Sequence, residues 1–307
     1  MIQRNATTFF RFVRSSWKSI LALAMIAGLA ELIYSNYTDK QIIPLDFSHV
    51  GLVFTAISIF LVFRVNEAYD RWWEARKLWG QLVNTSRSFA RQAITLIEDR
   101  VVGGQLVRRQ IAYVNALRIA LRHGPQWSSA PNAWSDIAPF IEEVELDALK
   151  QARNIPAQII RLHAQQLRRS FSKTTTDHLL LCQMDGLLTS LCDIQGGCER
   201  IKNTAFPDRV ARFTRAFVWL FAAALPFIIL DASLDSRDIK EIILVTFMSY
   251  VLVTIERLGR ELKNPFENRP NDTPMTALCR MVEIDLLQFL GETDLPPTIE
   301  PKNGVLM

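Results

Sequence analysis

Histidine and cysteine are scarce in this chain of 307 residues, which contains four of each. No HExxH motif, no carboxylate–histidine cluster and no CxxC pair is present. Structural zinc sites and membrane haem sites need clusters of this kind. We therefore expect no metal and no cofactor, and we expect reduced, partly buried thiols at Cys182, Cys192, Cys198 and Cys279.

Motifs of common enzyme classes are lacking as well. The chain has no GxSxG, no Walker A motif and no GxGxxG. The pairs Gly103-Gly104 and Gly196-Gly197 are better interpreted as turns between helices. The net charge of +4 is mild, and positive loops of a membrane protein explain it better than a nucleic-acid partner does. We predict neither catalytic residues nor nucleic-acid binding.

Long apolar runs are abundant, and 49% of the residues are hydrophobic. A membrane-spanning helix needs roughly 20 mostly apolar residues. Four segments meet or nearly meet that requirement, at about 17–35, 47–65, 213–231 and 240–256. The sequence therefore predicts an all-α integral membrane protein with four transmembrane helices and a large helical cytosolic region.

The most informative stretch runs from Leu52 to Trp79, without a proline or glycine. It is uncharged up to Phe63 and densely charged from Arg64 onward. A soluble amphipathic helix alternates polarity every 3.6 residues, whereas this stretch changes once. The pattern predicts one continuous helix that leaves the membrane near Arg64.

Lysine and arginine predict the orientation. The first eighteen residues carry four bases and no acid, whereas the two short loops, about 36–46 and 232–239, hold only Lys40 and Arg237. Both termini are therefore expected in the cytoplasm. The predicted parts are an N-terminal arm with two spans, a cytosolic helical region, two further spans and a cytosolic C-terminal segment: 1–65, 66–212, 213–256 and 257–307.

The region between the second and third spans has apolar residues three and four apart, as amphipathic helices do. His123-Gly124-Pro125 is expected to end one helix. Thr174, followed three residues later by Asp177, is expected to begin another, which covers about 177–194.

Thr55, Ile59 and Phe63 follow at four-residue spacing in the second span and so share one helix face. Core packing or lipid contact is the alternative explanation for one such helix. If several copies surround an axis, the stripe becomes stacked side-chain rings, and apolar rings gate ion flow by dewetting.

Three strings carry a family resemblance. FLVFRVNEAYDRWWEARKLWG at 60–80 resembles the signature of the bestrophin family, and of its bacterial branch in particular. FVWLFAAALPF at 217–227 resembles the family's third span, and ELKNPFENRPND at 261–272 resembles the segment after its fourth. The three strings stand in the family's order and at sensible spacing, so the likeness extends over nearly the whole chain.

The resemblance implies a homopentamer in a bacterial cytoplasmic membrane that passes monovalent ions passively. Its partners would be other copies of itself, the permeant ions and the lipid bilayer. The neck would be formed by Thr55, Ile59 and Phe63, and a cytosolic aperture by Leu180, with His178 and Leu181 left open.

Arg64 and Glu67 follow the neck and are candidate selectivity residues, and they could instead pair with each other or with a neighbouring subunit. Animal relatives conduct chloride, whereas the resemblance to the bacterial branch implies monovalent cations, and the slightly acidic outer loops also favour cations. The acidic run of the animal calcium clasp is missing after Phe266, so no calcium clasp is expected, although Glu267 and Asp272 could contribute ligands.

Two other classes of function compete with a channel. The four spans could anchor cytosolic helices that serve as a non-conducting interaction or assembly platform. A membrane enzyme is the third alternative, and a bound chromophore or metal would favour it.

Overall fold

The computed structural model describes residues 6–36, 47–124, 133–171, 174–204, 208–232, 239–301 and 305–306. Within these ranges the chain is helical and contains no β-strand. In chain order the α-helices are α1 (Ala6–Asn36), α2 (Phe47–Leu96), α3 (Arg100–His123), α4 (Glu143–Lys150), α5 (Ile155–Ser170), α6 (Thr175–Asn203), α7 (Asp208–Ala232), α8 (Ile239–Leu262) and α9 (Met275–Phe289). The predicted all-α fold is confirmed.

Four helices are long and apolar enough to cross a membrane. The qualifying stretches are Ser16–Ile33 in α1, Gly51–Leu96 in α2, Ala211–Ile229 in α7 and Ile239–Leu262 in α8. The four predicted spans are therefore confirmed. Helix α2 has 50 residues, which corresponds to about 75 Å at 1.5 Å per residue. That exceeds twice the roughly 30 Å of a hydrocarbon core, so α2 extends beyond the bilayer.

The chain divides into two compact units. The span unit comprises Ile2–Arg71 and Ala205–Lys263, and the helical unit comprises Trp72–Thr204 and Asn264–Met307. Helix α2 contributes its apolar first half to the span unit and its charged second half to the helical unit. The change of composition near Arg64 therefore falls close to the boundary between the units.

Helices α1, α7 and α8 pack against one another in the span unit. The buried core contains side chains from all three helices and Leu61 of α2. Ser249 of α8 is fully buried, and its hydroxyl donates to the carbonyl of Ala222 in α7 at 2.9 Å. This bond satisfies a polar group that would be costly to leave unpaired in an apolar layer.

Helix α3 lies at the centre of the helical unit. It contacts α5, α6 and α9, and most of its side chains are buried. Tyr113 of α3 is fully buried, and its hydroxyl donates to the carbonyl of Leu191 in α6 at 3.1 Å. The second half of α2 adds Trp79 and Phe89 to the same core. The predicted helical character of this region is confirmed.

Two predicted helix ends are correct. Helix α3 ends at His123, and Gly124 follows it with a φ of 60°, which a glycine adopts without strain. Pro125 lies outside the described residues. Thr174 caps α6, and Thr174 and Asp177 form a reciprocal capping box. Helix α6 continues to Asn203, however, well past the predicted end near 194.

The interpretation of the glycine pairs as turns is wrong, because both pairs lie inside helices α3 and α6. A Cβ at Gly103 would lie 2.8 Å from the carbonyl oxygen of Ala93, and a Cβ at Gly197 would lie 3.0 Å from the side chain of Leu78. These glycines allow close helix packing against α2. A glycine pair in a sequence does not distinguish a turn from a close contact between helices, because both favour a residue without a side chain.

Candidate functional site

The stripe of Thr55, Ile59 and Phe63 is exposed on α2. Ile59 is 53% exposed and Phe63 is 65% exposed, and Thr55 is also exposed. The hydroxyl of Thr55 donates to the carbonyl of Gly51 at 2.8 Å, so its proton already has a partner within the helix. The described part of the chain leaves this apolar stripe uncovered.

Another face of α2 packs within the protein. Leu61, Arg64 and Ala68 are buried, and Phe54 and Ile57 pack partly against the span-unit core. The uncovered stripe therefore lies apart from the packed face. Phe60 and Val62 are exposed as well, and both a pore wall and a lipid-facing wall require exposure in one subunit. The neck assignment stays a prediction.

Arg64 contacts Glu256 within the same subunit. Its Nη1 lies 3.7 Å from Oε1 of Glu256, and Nη2 of Arg260 lies 3.4 Å from Oε2 of the same carboxylate. Arg64 and Glu256 are both buried. Charged side chains in membrane segments usually pair in this way.

Glu67 differs from Arg64 because it is exposed. Within the described part of the chain, no ion pair joins Arg64 to Glu67, so the structure gives no support to the expected alternative that they pair with each other. Of the two candidate selectivity residues, Glu67 is the one whose side chain faces outward in one subunit. The selectivity assignment itself stays a prediction.

The sequence reasoning missed Glu256. The only available signal was an acid at the end of the fourth apolar segment, one helical turn before Arg260. Its partner Arg64 lies far away in sequence, and nothing in the spacing of either residue indicates the pairing.

The first turns of α6 contain the predicted aperture. Leu180 and Leu181 are partly buried against the core of the helical unit, whereas His178 is exposed. Leu179, which the sequence reasoning did not select, is 69% exposed. An aperture residue must be uncovered in a single subunit, so Leu179 joins His178 as an alternative to Leu180. The aperture stays a prediction.

Trp72 joins two of the three family strings, those at 60–80 and 261–272. Its indole nitrogen donates to the carbonyl of Asn271 at 2.8 Å. The rings of Trp72 and Trp73 lie 6.2 Å apart in a stacked arrangement. The charged second half of α2 thus holds the loop at 264–274 in place, with Trp72 as the anchor.

The loop at 264–274 contains both carboxylates that were considered as calcium ligands, and each carboxylate already has a partner within the protein. Glu267 accepts a 2.8 Å ion-pair bond from Lys202. Asp272 is buried, and its Oδ2 accepts from the backbone nitrogen of Arg269 at 3.0 Å. Burial raises the pKa of Asp272, and the hydrogen bond from Arg269 lowers it in part. Among the described residues, no group of three or more His, Cys, Asp or Glu could hold a metal ion.

Comparison with known proteins identifies the family. Residues 4–288 match the family described as bacterial/fungal bestrophin protein. The chain belongs to the bestrophin family. This confirms the resemblance carried by the three strings.

Several relatives are similar over most of their length. The chain is 31% identical over 265 residues to the voltage-dependent anion channel-forming protein YneE of Escherichia coli K12, covering 83% of each protein. It is 31% identical over 279 residues to the protein of the same name in Salmonella typhi, covering 91% of this chain and 88% of that protein. The crystal structure of a bacterial bestrophin homologue from Klebsiella pneumoniae superposes with a TM-score of 0.78 at 25% identity, covering 91% of this chain and 98% of that one.

Family membership and four spans make this chain a membrane protein. The family and the names of its relatives support an ion channel rather than an enzyme. Those names specify anions, which runs against the expected preference for cations. That expectation rested on the resemblance to the bacterial branch of the family and on slightly acidic outer loops, of which Asp39, Asp46, Asp235 and Asp238 lie outside the described residues.

Proposed function

We propose that this bestrophin is a homopentameric channel that passes monovalent ions passively across a bacterial cytoplasmic membrane. The observation that carries the proposal is the uncovered stripe on α2, in which Ile59 and Phe63 are more than half exposed. One subunit cannot enclose an axial path with a single helix face. Copies arranged around an axis would turn the stripe into stacked rings.

The proposed mechanism is control of hydration in the neck. An ion that crosses rings of isoleucine and phenylalanine must lose part of its water shell, and no charged or carbonyl group of those side chains replaces that water. Ring diameter therefore controls the barrier. Thr55 is polar, so its ring is expected to oppose ions less than the other two.

The sign of the preferred ion must come from outside the neck, because the three neck side chains carry no charge. We propose monovalent anions as the first candidate, supported by the names of the relatives. Monovalent cations are the second candidate, supported by Glu67, which is exposed one helical turn after Phe63.

The proposed topology places both termini in the cytoplasm and the short loops outside. Its support is the cluster of bases in the first eighteen residues and the single base in each short loop. The main rival function is a membrane-anchored platform without a pore. Such a platform would keep the same four spans and the same helical unit.

Two measurements on purified full-length protein test the proposal. Native mass measurement in mild detergent is expected to give five copies, and a monomer or dimer would contradict the channel. Ion flux into liposomes is expected, and an intact oligomer without flux would favour the platform. The reversal potential in a sodium chloride gradient then distinguishes the ions: a value near the chloride equilibrium potential supports anions, and a value near that of sodium supports cations.

A further inference from the structure

A strongly basic pocket of about 490 Å³ lies in the span unit, lined by residues of α2, α7 and α8 and by the residue after α8. Its lining includes five basic side chains and one acid: Arg64, Arg212, Arg215, Arg260, Lys263 and Glu256. The candidate span of α7 begins at Ala211, and that of α8 ends at Leu262. The pocket therefore lies where both spans reach the same membrane surface.

The buried side of this pocket is built from paired charges. Glu256 is buried between Arg64 and Arg260. The single carboxylate thus holds two of the five bases in fixed positions. Nη1 of Arg64 is itself buried and faces Oε1 of Glu256 without making a hydrogen bond to it.

The open side of the pocket carries uncompensated charge. Arg212 and Arg215 lie in the first turns of α7 and are exposed. Within the part of the chain that the structure describes, neither has an ion-pair partner. The positive charges of Arg212 and Arg215 therefore attract an anion to the open side of the pocket.

The surroundings of the two arginines suit a membrane surface. Phe213 and Phe217 lie beside them on α7, both exposed, with ring centroids 4.5 Å apart. Exposed aromatic rings next to arginines at the end of an apolar span are typical of the interface between lipid and water. A ligand that reaches this pocket can therefore have an apolar body as well as an anionic head.

We propose that this pocket binds the phosphate group of an anionic phospholipid, with Arg212 and Arg215 as its main contacts. The planar guanidinium forms paired hydrogen bonds to phosphate oxygens. Basic pockets between membrane helices bind phospholipid headgroups in this way. The shared chemistry is a phosphate, which a lipid or a soluble phosphate could supply.

The competing explanation is that these bases only set the orientation of the spans. That role requires positive charge on one side of the membrane and no particular headgroup. It predicts no saturable preference for anionic lipid. It also predicts no difference between arginines that line the pocket and arginines elsewhere on the same protein.

The test uses full-length protein in detergent, stripped of lipid, and measures the unfolding temperature while phosphatidylglycerol is added. Phosphatidylcholine and inorganic phosphate are the parallel additions. The test variant is Arg212→Gln/Arg215→Gln. The matched control is Arg168→Gln/Arg169→Gln, which removes the same charge from exposed positions on α5. An Arg212→Lys/Arg215→Lys variant keeps the charge but loses the planar fork.

Phosphatidylglycerol is expected to raise the unfolding temperature saturably. The test variant is expected to need about thirtyfold more lipid for half the effect, since each basic residue near an anionic surface contributes roughly fivefold. The control variant is expected to match the parent, and the lysine variant to fall between. Equal stabilisation by inorganic phosphate, lost in the same test variant, would support the site and assign it to a soluble phosphate.

Two results would overturn the proposal. One is equal stabilisation by phosphatidylcholine, and the other is an unchanged response of the Arg212→Gln/Arg215→Gln variant. Neither readout uses ion flux, so failure here is distinguishable from failure of the channel function.

Discussion

Arg64 and Glu256 form a buried ion pair, with 3.7 Å between Nη1 and Oε1. The pair joins α2 to α8 at the point in α2 where apolar sequence gives way to charged sequence. Isolated charges in a low-dielectric layer are costly, and a close partner offsets that cost. The pair therefore connects the second and fourth spans. The charge of Arg64 is balanced by a carboxylate of its own subunit.

Glu256→Gln is expected to destabilise the protein by about 3–5 kcal/mol, because it leaves Arg64 buried without a counter-charge. The measurement is the free energy of unfolding, or the unfolding temperature, in detergent. Glu261→Gln serves as the control, because Glu261 pairs with Arg257 at a more exposed position, where about 1 kcal/mol or less is expected. Equal effects of the two substitutions would show that the buried pair has no special role.

Gly103→Ala is expected to destabilise the helical unit by roughly 1–3 kcal/mol, the usual cost of overpacking. The added Cβ would lie 2.8 Å from the carbonyl oxygen of Ala93, and a backbone atom cannot easily move aside. Gly104→Ala is the matched control, since its Cβ would meet only the side chain of Leu290 at 3.9 Å. That change is expected to be neutral or to stabilise by about 0.5–1 kcal/mol. The unfolding temperature of Gly103→Ala should fall below that of the parent, and that of Gly104→Ala should not. Equal changes in the two variants would contradict the close contact between Gly103 and Ala93.

Thiol labelling at neutral pH is expected to separate the cysteines. Burial raises the pKa of both Cys198 and Cys279 to about 12, so little thiolate forms at either residue. Cys182 is exposed and is expected to react first with a maleimide. Cys192 is also exposed, but burial and nearby Asp193 raise its pKa and slow it. Peptide mass mapping checks the order, and rapid labelling of Cys279 in folded protein would contradict the packing described.

His163 is expected to weaken the protein as the pH falls. It is fully buried, its ring and that of Phe89 form a T-shaped contact, and burial, followed by the charge of Arg109, holds its pKa well below 6.5. In the unfolded chain His163 is protonated as the pH falls through about 6.5, whereas in the folded chain it stays neutral at that pH. Stability from this group is therefore present above pH 6.5 and is lost below it, by roughly 1.4 kcal/mol per pH unit.

His163→Leu removes this dependence. The free energy of unfolding of the parent minus that of the variant is expected to be constant above pH 7 and to decline from about pH 6.5 to pH 5. Groups common to both proteins cancel in the difference. A difference that stays flat over this range would mean that His163 accepts its proton in the folded protein.

Much of the fold could be predicted from local patterns. The single change from apolar to charged residues at Arg64 predicted one continuous helix, and α2 extends even further, to Leu96. Apolar length predicted the four spans, and the reciprocal spacing of Thr174 and Asp177 predicted the start of α6. These features depend on neighbours in sequence, so the sequence alone contains them.

Features that depend on tertiary packing could not be predicted. The partner of Arg64 comes from α8, and the roles of Gly103 and Gly197 come from backbone and side-chain atoms of α2. The choice of Leu180 for the aperture could not take into account that Leu180 packs partly against the core while Leu179 is exposed. Helix phase in α6 cannot be assigned before the neighbours of α6 are known.

Single-channel current across a planar bilayer tests the neck. Ile59→Ala is expected to raise conductance severalfold, because a wider apolar ring lets an ion keep more of its water. Phe63→Ala is expected to act in the same direction. Thr55→Ala is expected to matter less, since that ring is already polar.

Phe60→Ala is the matched control, because Phe60 is exposed on α2 but lies off the stripe. The most direct test of the account is therefore the conductance of Ile59→Ala and of Phe60→Ala beside the parent channel, each with its oligomer intact. We predict a severalfold rise for Ile59→Ala and no change for Phe60→Ala. An unchanged conductance in Ile59→Ala would mean that the stripe contacts lipid or protein and that the ions take another path.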